Sequence, residues 1–144
     1  MISAADTGAT GTVRFRVSVL EQLMTEARAG APFEICGILA ADVDGIVVAA
    51  YPLTNVAASE TYYSIDPGEQ LAAYQHFRDA GLEAIGAYHS HPASPARPSA
   101  TDIAEAYDPD GLYVIVSLEA TPAVRAWRIA EGVATEFDIE STKG

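Results

Sequence analysis

The sequence predicts a mixed α/β fold: one central mixed β-sheet flanked by helices. Three observations carry this expectation. In "FEICGILAADVDGIVVAAYPL", two apolar runs flank Asp44-Gly45, a strong short hairpin signal. Two further stretches repeat apolar residues at helical spacing and are bounded by capping and stop residues. "GLYVIVSL" is an almost continuous apolar run, the pattern of a strand covered on both faces. The chain has 144 residues, 49% of them hydrophobic, which suits a single compact domain with a substantial core.

The elements follow in order. Residues 1–11, "MISAADTGATG", are small and polar, and they lack the basic start and apolar run of a signal peptide. They are expected to be poorly ordered, with one domain over residues 12–140. "TVRFRV" alternates like a strand, with Val13, Phe15 and Val17 on one face. Ser18 and Glu21 form a capping-box pattern; Val17, Leu20, Met24 and Ala27 recur at helical spacing up to Gly30. The hairpin comes next, and "TYYSID" reads as a further strand. Asp66, Pro67 and Glu69 open a second helix, Leu71, Tyr74 and Phe77 give it a buried stripe, and Gly81 closes it. "EAIGAYHSH" is a strand stopped by Pro92, and "SATDIAEAY" a short third helix. "GLYVIVSL" is the central strand, and "AVRAWRIA" and "VATEFDI", parted by Glu131-Gly132, close a meander. No internal repeat, low-complexity segment or linker interrupts this order.

Charge narrows the partners. A formal net charge of -12 makes nucleic acid and anionic membrane surfaces poor partners. A single cysteine, Cys36, rules out an internal disulfide and fits a reducing compartment. No apolar stretch is long enough to span a bilayer, so the cytoplasm is the expected location.

The chemistry concentrates in "AYHSHPASPARPSATD", from Ala87 to Asp102. On a strand, His89 and His91 project to the same side together with Ile85 and Ala87. Two imidazoles held this way are two-thirds of a catalytic zinc site, which takes three protein ligands and keeps a position for water. Asp102 is the candidate third ligand, returned to the histidines by a loop stiffened by Pro92, Pro95 and Pro98. Ser99 and Asp102 also have a purely local explanation as a helix capping box, and the two readings are compatible. A hydrolytic zinc site needs a base that is not itself a ligand. Glu34, leading the apolar "PFEICGIL", is the candidate, although a lone glutamate at the start of a strand is more often simply solvated. Cys36, two residues on, is read as small buried packing, His76 as a surface or packing histidine, and Trp127 as core or a sheet-face anchor.

Taken together, "EICGIL" and "HSHPASPARPSATD" resemble the JAMM (MPN-plus, Mov34) metalloprotease motif: an upstream glutamate, His-x-His-Pro, a spacer, Pro-Ser, two residues and Asp. Glu34, His89, His91, Pro92, Pro98, Ser99 and Asp102 fill every position. The resemblance implies zinc held by His89, His91 and Asp102, Glu34 as general acid/base, Ser99 at the oxyanion, and a cytidine-deaminase-like sheet flanked by helices. "TNVAASETYYSIDPGEQLAAY", "YDPDGLYVIVSL" and "RAWRIAEGVATE" extend it to small bacterial, especially actinobacterial, members. Those members act on ubiquitin-like sulfur-carrier proteins, hydrolysing the bond between the carrier's C-terminal glycine and an attached cysteine. A carrier with a Gly-Gly tail is therefore the implied partner, and "TYYSID" is the candidate strand edge for that tail. The alternatives are an isopeptidase that frees target lysines and a non-catalytic scaffold, and homodimer formation is left open. The motif does not separate zinc from iron or another divalent ion.

Overall fold

The computed structural model describes residues 11–143. The order is β1 (Thr12–Arg16), α1 (Val17–Gly30), β2 (Cys36–Ala41), β3 (Val47–Leu53), α2 (Pro67–Asp79), β4 (Glu83–His91), α3 (Ala100–Glu105), β5 (Leu112–Ser117), β6 (Ala123–Ala130) and β7 (Val133–Thr142). The predicted class holds, a mixed sheet with helices packed on it. The sheet is not open, however. Its strands run β1-β3-β2-β4-β5-β6-β7 and close into a barrel. β1 lies parallel to β7 over Thr12↔Asp138 to Arg16↔Thr142, and meets β3 at Phe15↔Val47. β4 and β5 are parallel, and β5, β6 and β7 form the expected antiparallel meander.

Most local signals are realised as expected. Asp42 accepts the Asp44 and Ile46 N–H groups and so folds the β2–β3 turn. Glu131 and Gly132 both have positive φ, the backbone that a two-residue hairpin needs. Asp66 caps α2 by accepting from Glu69 N–H, with Pro67 as its first residue.

Several expectations are corrected. Val17 does not extend the β1 face. It opens α1 and is 39% exposed, because the strand runs straight into the helix at Arg16. Ser18 therefore lies inside the helix and caps nothing, and the buried stripe of α1 is Val19, Leu23 and Ala27, with Leu20 and Met24 flanking. On α2 the buried residues are Ala73 and Phe77, whereas Leu71 and Tyr74 are exposed. That helix touches the sheet along a narrower strip than its apolar residues suggest. "TYYSID" is not a strand. The segment makes one bridge, Asn55↔Ile65, and is organised by a side chain instead. Asn55 donates to the Glu34 and Tyr62 carbonyls and accepts from Ala57 and Ser64 N–H, satisfying the backbone that a sheet would have satisfied. The expectation for residues 1–10 lies outside the described residues; the Gly11 carbonyl accepts from Asp138 N–H.

The core has two main parts, one on each side of the β2–β4 region. The larger gathers Val13, Phe15, Leu23, Leu39, Tyr88, Val114 and Val116 under α1. The smaller joins Cys36, Ile38, Ala40 and Leu53 to Ala73 and Phe77 of α2. A register shift between Leu39 and Ala40 puts a bulge in β4. It turns Ile85 into the larger cluster beside Tyr88, so Ile85 does not share the histidine face as the plain alternation implied. Gly86 follows, and a Cβ there would collide with the Leu112 carbonyl of β5. Among the described residues, no helix is long and apolar enough to cross a membrane.

Candidate metal centre

The site is built on the end of β4. Cys36 of β2 pairs with His89, and one residue earlier Ile35 and Ser90 exchange bonds: Ser90 N–H donates to the Ile35 carbonyl, and Ile35 N–H to Ser90 Oγ. The pairing thus continues past the regular strand and carries Glu34 toward His91. The Glu34 backbone is held from the other side too, its N–H donating to Ser59 and its carbonyl accepting from Asn55.

His89 and His91 are 3% and 4% exposed and project together, as their spacing predicts. His89 Nε2 and His91 Nε2 lie 3.2 Å apart, and each is 3.1 Å from Asp102 Oδ2. Asp102 arrives from the first turn of α3. There it forms a full capping box with Ser99: Asp102 N–H donates to Ser99 Oγ, and Ser99 N–H donates to Asp102 Oδ2 at 2.9 Å. The local and the metal-facing readings of Ser99 and Asp102 are therefore compatible in one geometry.

The donor set fits a metal ion. A Zn–N bond of about 2.0–2.1 Å in tetrahedral geometry separates neighbouring ligand atoms by about 3.3 Å, close to the triangle seen here. His91 Nδ1 can only donate to the Pro95 carbonyl, at 2.8 Å, which leaves Nε2 of the neutral ring as a lone pair aimed at the triangle. His89, His91 and Asp102 form a group able to hold a metal ion. Electrostatics divide the two rings: burial lowers the His91 imidazole, but its bonds to Asp102 and Pro95 outweigh it and hold the ring above its ordinary range, so a metal would have to displace a proton there. Burial holds the His89 imidazole below its ordinary range despite Asp102, which favours the neutral form that a metal needs. Burial would raise the Asp102 carboxyl, but its hydrogen bonds to His89 and His91 outweigh it and hold the group well below the carboxylate range.

Glu34 is 5% exposed, and its Oε1 has no hydrogen-bond partner among the described residues. Burial pushes its carboxyl up to about 7, with His91 lowering it and Asp102 adding to the rise. A buried, unpaired carboxyl beside a metal-ligand triangle is costly unless something enters to use it. Cys36 is buried as expected; burial pushes its thiol up to about 12, which leaves no reactive thiolate at neutral pH. His76 is exposed and lies 5.2 Å from the Tyr51 ring, in keeping with its packing role.

The part that three neighbours play at the site carried no signal in the sequence, although Trp127 is buried as its core reading expected. Tyr63 stacks on His89, with centroids 4.5 Å apart and planes 24° from parallel. Asn55 ties down the segment that carries Tyr63. Trp127 donates its indole N–H to the Ala96 carbonyl in the proline loop. Beside the centre, a cavity of about 910 Å³ lies between α2, β4 and the 62–65 segment, with Tyr63, Tyr74, Ala84, Ala87, Tyr107 and Leu112 in its wall. Tyr63 belongs both to this wall and to the His89 stack, so its ring lies between the cavity and His89; Glu34, His89, His91, Ser99 and Asp102 are not in the wall.

Comparison with known proteins agrees with this arrangement. Residues 16–130 match the family described as prokaryotic homologues of the JAB domain. A desampylase from Haloferax volcanii is 40% identical over 113 residues, covering 74% of this chain and 81% of its own. A CysO-cysteine peptidase from Mycobacterium tuberculosis is 35% identical over 127 residues, covering 86% and 87%. A solution structure from Desulfitobacterium hafniense superposes with a TM-score of 0.84 at 36% identity, over 92% of this chain and 94% of that one. The match across most of the chain, on a fold whose donor triangle among the described residues falls on the motif residues, places this protein in the prokaryotic branch of the JAB (JAMM/MPN) family of peptide- and isopeptide-bond hydrolases.

Proposed function

We propose that this chain is a zinc-dependent hydrolase that cuts the amide bond after the C-terminal glycine of a ubiquitin-like sulfur-carrier protein and releases cysteine. The observation that carries it is the convergence of three ligand atoms within 3.2 Å of one another beside the buried, unpartnered Glu34. His89, His91 and Asp102 would hold the ion, which would supply Lewis acidity and lower the pKa of a water at the centre toward neutrality.

The rest belongs to the chain's own groups. Glu34 accepts the proton of the attacking water and returns it to the leaving amine, a role suited to a carboxyl with a pKa of about 7. Ser99 Oγ already accepts Asp102 N–H, so its own hydrogen is free to be donated to the scissile carbonyl oxygen as charge develops there. The Gly-Gly tail lies extended in the cavity beside Tyr63, where the absence of side chains lets it pass between the 62–65 segment and β4. This wall, rather than a strand at "TYYSID", guides the tail.

Ser99→Ala is expected to slow turnover by roughly 10²–10³-fold. Losing the cap costs about 1 kcal/mol of stability as well. Ser99→Asp separates the two roles, since aspartate caps a helix but offers no hydroxyl. It should restore the unfolding midpoint and leave the rate low. A rate in Ser99→Asp equal to wild type would confine Ser99 to capping.

The deciding experiment is intact-mass spectrometry of a sulfur-carrier protein bearing C-terminal cysteine, incubated with the zinc-loaded protein and, in parallel, with Glu34→Gln. Loss of the cysteine mass with wild type only, blocked by a chelator, supports the reading. The 40% identity to a protein named desampylase favours one second reading, cleavage of carrier–lysine isopeptide conjugates. An intact carrier–cysteine adduct together with a cleaved lysine conjugate would establish that alternative.

A further inference from the structure

We infer that Trp127 is a positioning residue for Asp102 and Ser99, acting through the proline loop, an inference that rests on the metal-dependent reading above. Three consecutive carbonyls of that loop are each caught by a side chain from a different strand. Ser117 Oγ of β5 donates to Ser94 at 2.7 Å, His91 Nδ1 of β4 to Pro95 at 2.8 Å, and Trp127 Nε1 of β6 to Ala96 at 2.9 Å. The last of these is buried: Ala96 is 4% exposed and Trp127 6%, and they pack together with Ile115.

This clasp matters because Asp102 is otherwise held by polar contacts alone: its own bonds to His89, His91 and Ser99, and the exposed Tyr62 O–H to Glu105 at the far end of α3. The loop from Pro92 to Ser99 has no regular secondary structure. The helix it feeds, α3, is six residues long and has no buried residue, so packing does not pin it to the body of the protein. Only Arg97 and Pro98 separate the clasped Ala96 from Ser99, the cap that holds the Asp102 carboxylate. Pro98 has a fixed φ, and Arg97 N–H is tied back to the Pro95 carbonyl. The path from clasp to ligand therefore has few free torsions. Releasing the Ala96 carbonyl leaves the loop held at Ser94 and Pro95 but frees its last link toward Ser99 and Asp102. His91 links the two ends, because the ring that offers Nε2 to the metal triangle holds the Pro95 carbonyl through Nδ1.

Phenylalanine removes the N–H of Trp127 and retains an aromatic ring to fill the space. Trp127→Phe and wild type are titrated with zinc in competition with a chromogenic chelator, and kcat and KM are then measured on the zinc-saturated enzymes. The expected result is a fall in zinc affinity of about 10-fold, within the range seen for outer-shell partners of metal ligands. kcat should fall with KM little changed, since the carrier's cavity is untouched. Ser117→Ala, which frees the Ser94 carbonyl, should weaken zinc in the same direction, and it carries the test if Trp127→Phe does not fold. Wild-type zinc affinity in a folded Trp127→Phe, or in folded Ser117→Ala where only that variant folds, would overturn the inference even if the unfolding midpoint dropped. Failure of the wild type to bind zinc would instead remove the metal-dependent reading, and this inference with it.

Discussion

Glu34→Gln is expected to bind zinc as wild type does and to lose turnover by roughly 10²–10⁴-fold, the usual contribution of a positioned acid/base. The amide has nearly the size of the carboxyl, so the backbone tethers to Ser59 and Asn55 stay in place. Metal analysis together with the carrier assay checks both halves, and retention of full activity would remove Glu34 from the mechanism. The same substitution carries a stability signature of opposite sign. Burial raises the Glu34 carboxyl from 4.5 to about 7 in the folded chain, so between those values the native state binds more protons than the unfolded one. Metal-free wild type therefore loses stability as pH rises across that window, and above it the full cost remains. A difference of this size is worth roughly 3 kcal/mol. Metal-free Glu34→Gln lacks the titration, so it should unfold later than wild type at pH 8 and at a similar point near pH 4. Parallel melting curves for the two proteins from pH 4 to 8 would contradict this account. The group proposed here as the acid/base is thus also the one expected to weaken the metal-free fold.

Asp102→Ala is expected to abolish stoichiometric metal binding and, with it, activity. It removes one corner of the triangle and leaves two histidines, fewer protein ligands than a catalytic zinc site uses. It also strips the acceptor from Ser99 N–H and so half of the capping box on α3. Asp102→Asn separates the effects: its side-chain oxygen can still accept from Ser99, but it carries no charge for the metal. Asn should therefore restore the unfolding midpoint lost in Ala without restoring metal content. Full zinc occupancy in Asp102→Ala, measured by elemental analysis after dialysis, would take Asp102 out of the ligand set.

What the sequence made legible was local. His89 and His91 come together because strand side chains alternate, and Ser99 and Asp102 because a capping box spans four residues. Asp44-Gly45 and Glu131-Gly132 announce their turns in the same way. The failures sit where a distant partner decides. Residues 61–66 have the aromatic and β-branched content of a strand, yet Asn55 satisfies their backbone from outside the segment, and nothing near them in sequence signals it. Leu71 and Tyr74 have helical spacing with Phe77, but their face of α2 opens toward solvent and the cavity. The bulge that redirects Ile85 follows from how β4 meets β2, and the Trp127 bond to Ala96 spans thirty-one residues. Periodicity registers none of these contacts.

The pairing of β1 with β7 has a consequence for the making of the protein. The motif residues, Glu34 to Asp102, are all synthesised well before β7, which begins at Val133. Until β7 follows, β1 and β6 each keep one side unpaired, with backbone donors and acceptors open to any passing strand. Joining the first strand to the last closes a loop of nearly the whole chain, a contact of high sequence separation that forms late and slowly. A nascent chain paused before Val133 thus holds the full chemical motif in the form most exposed to aggregation.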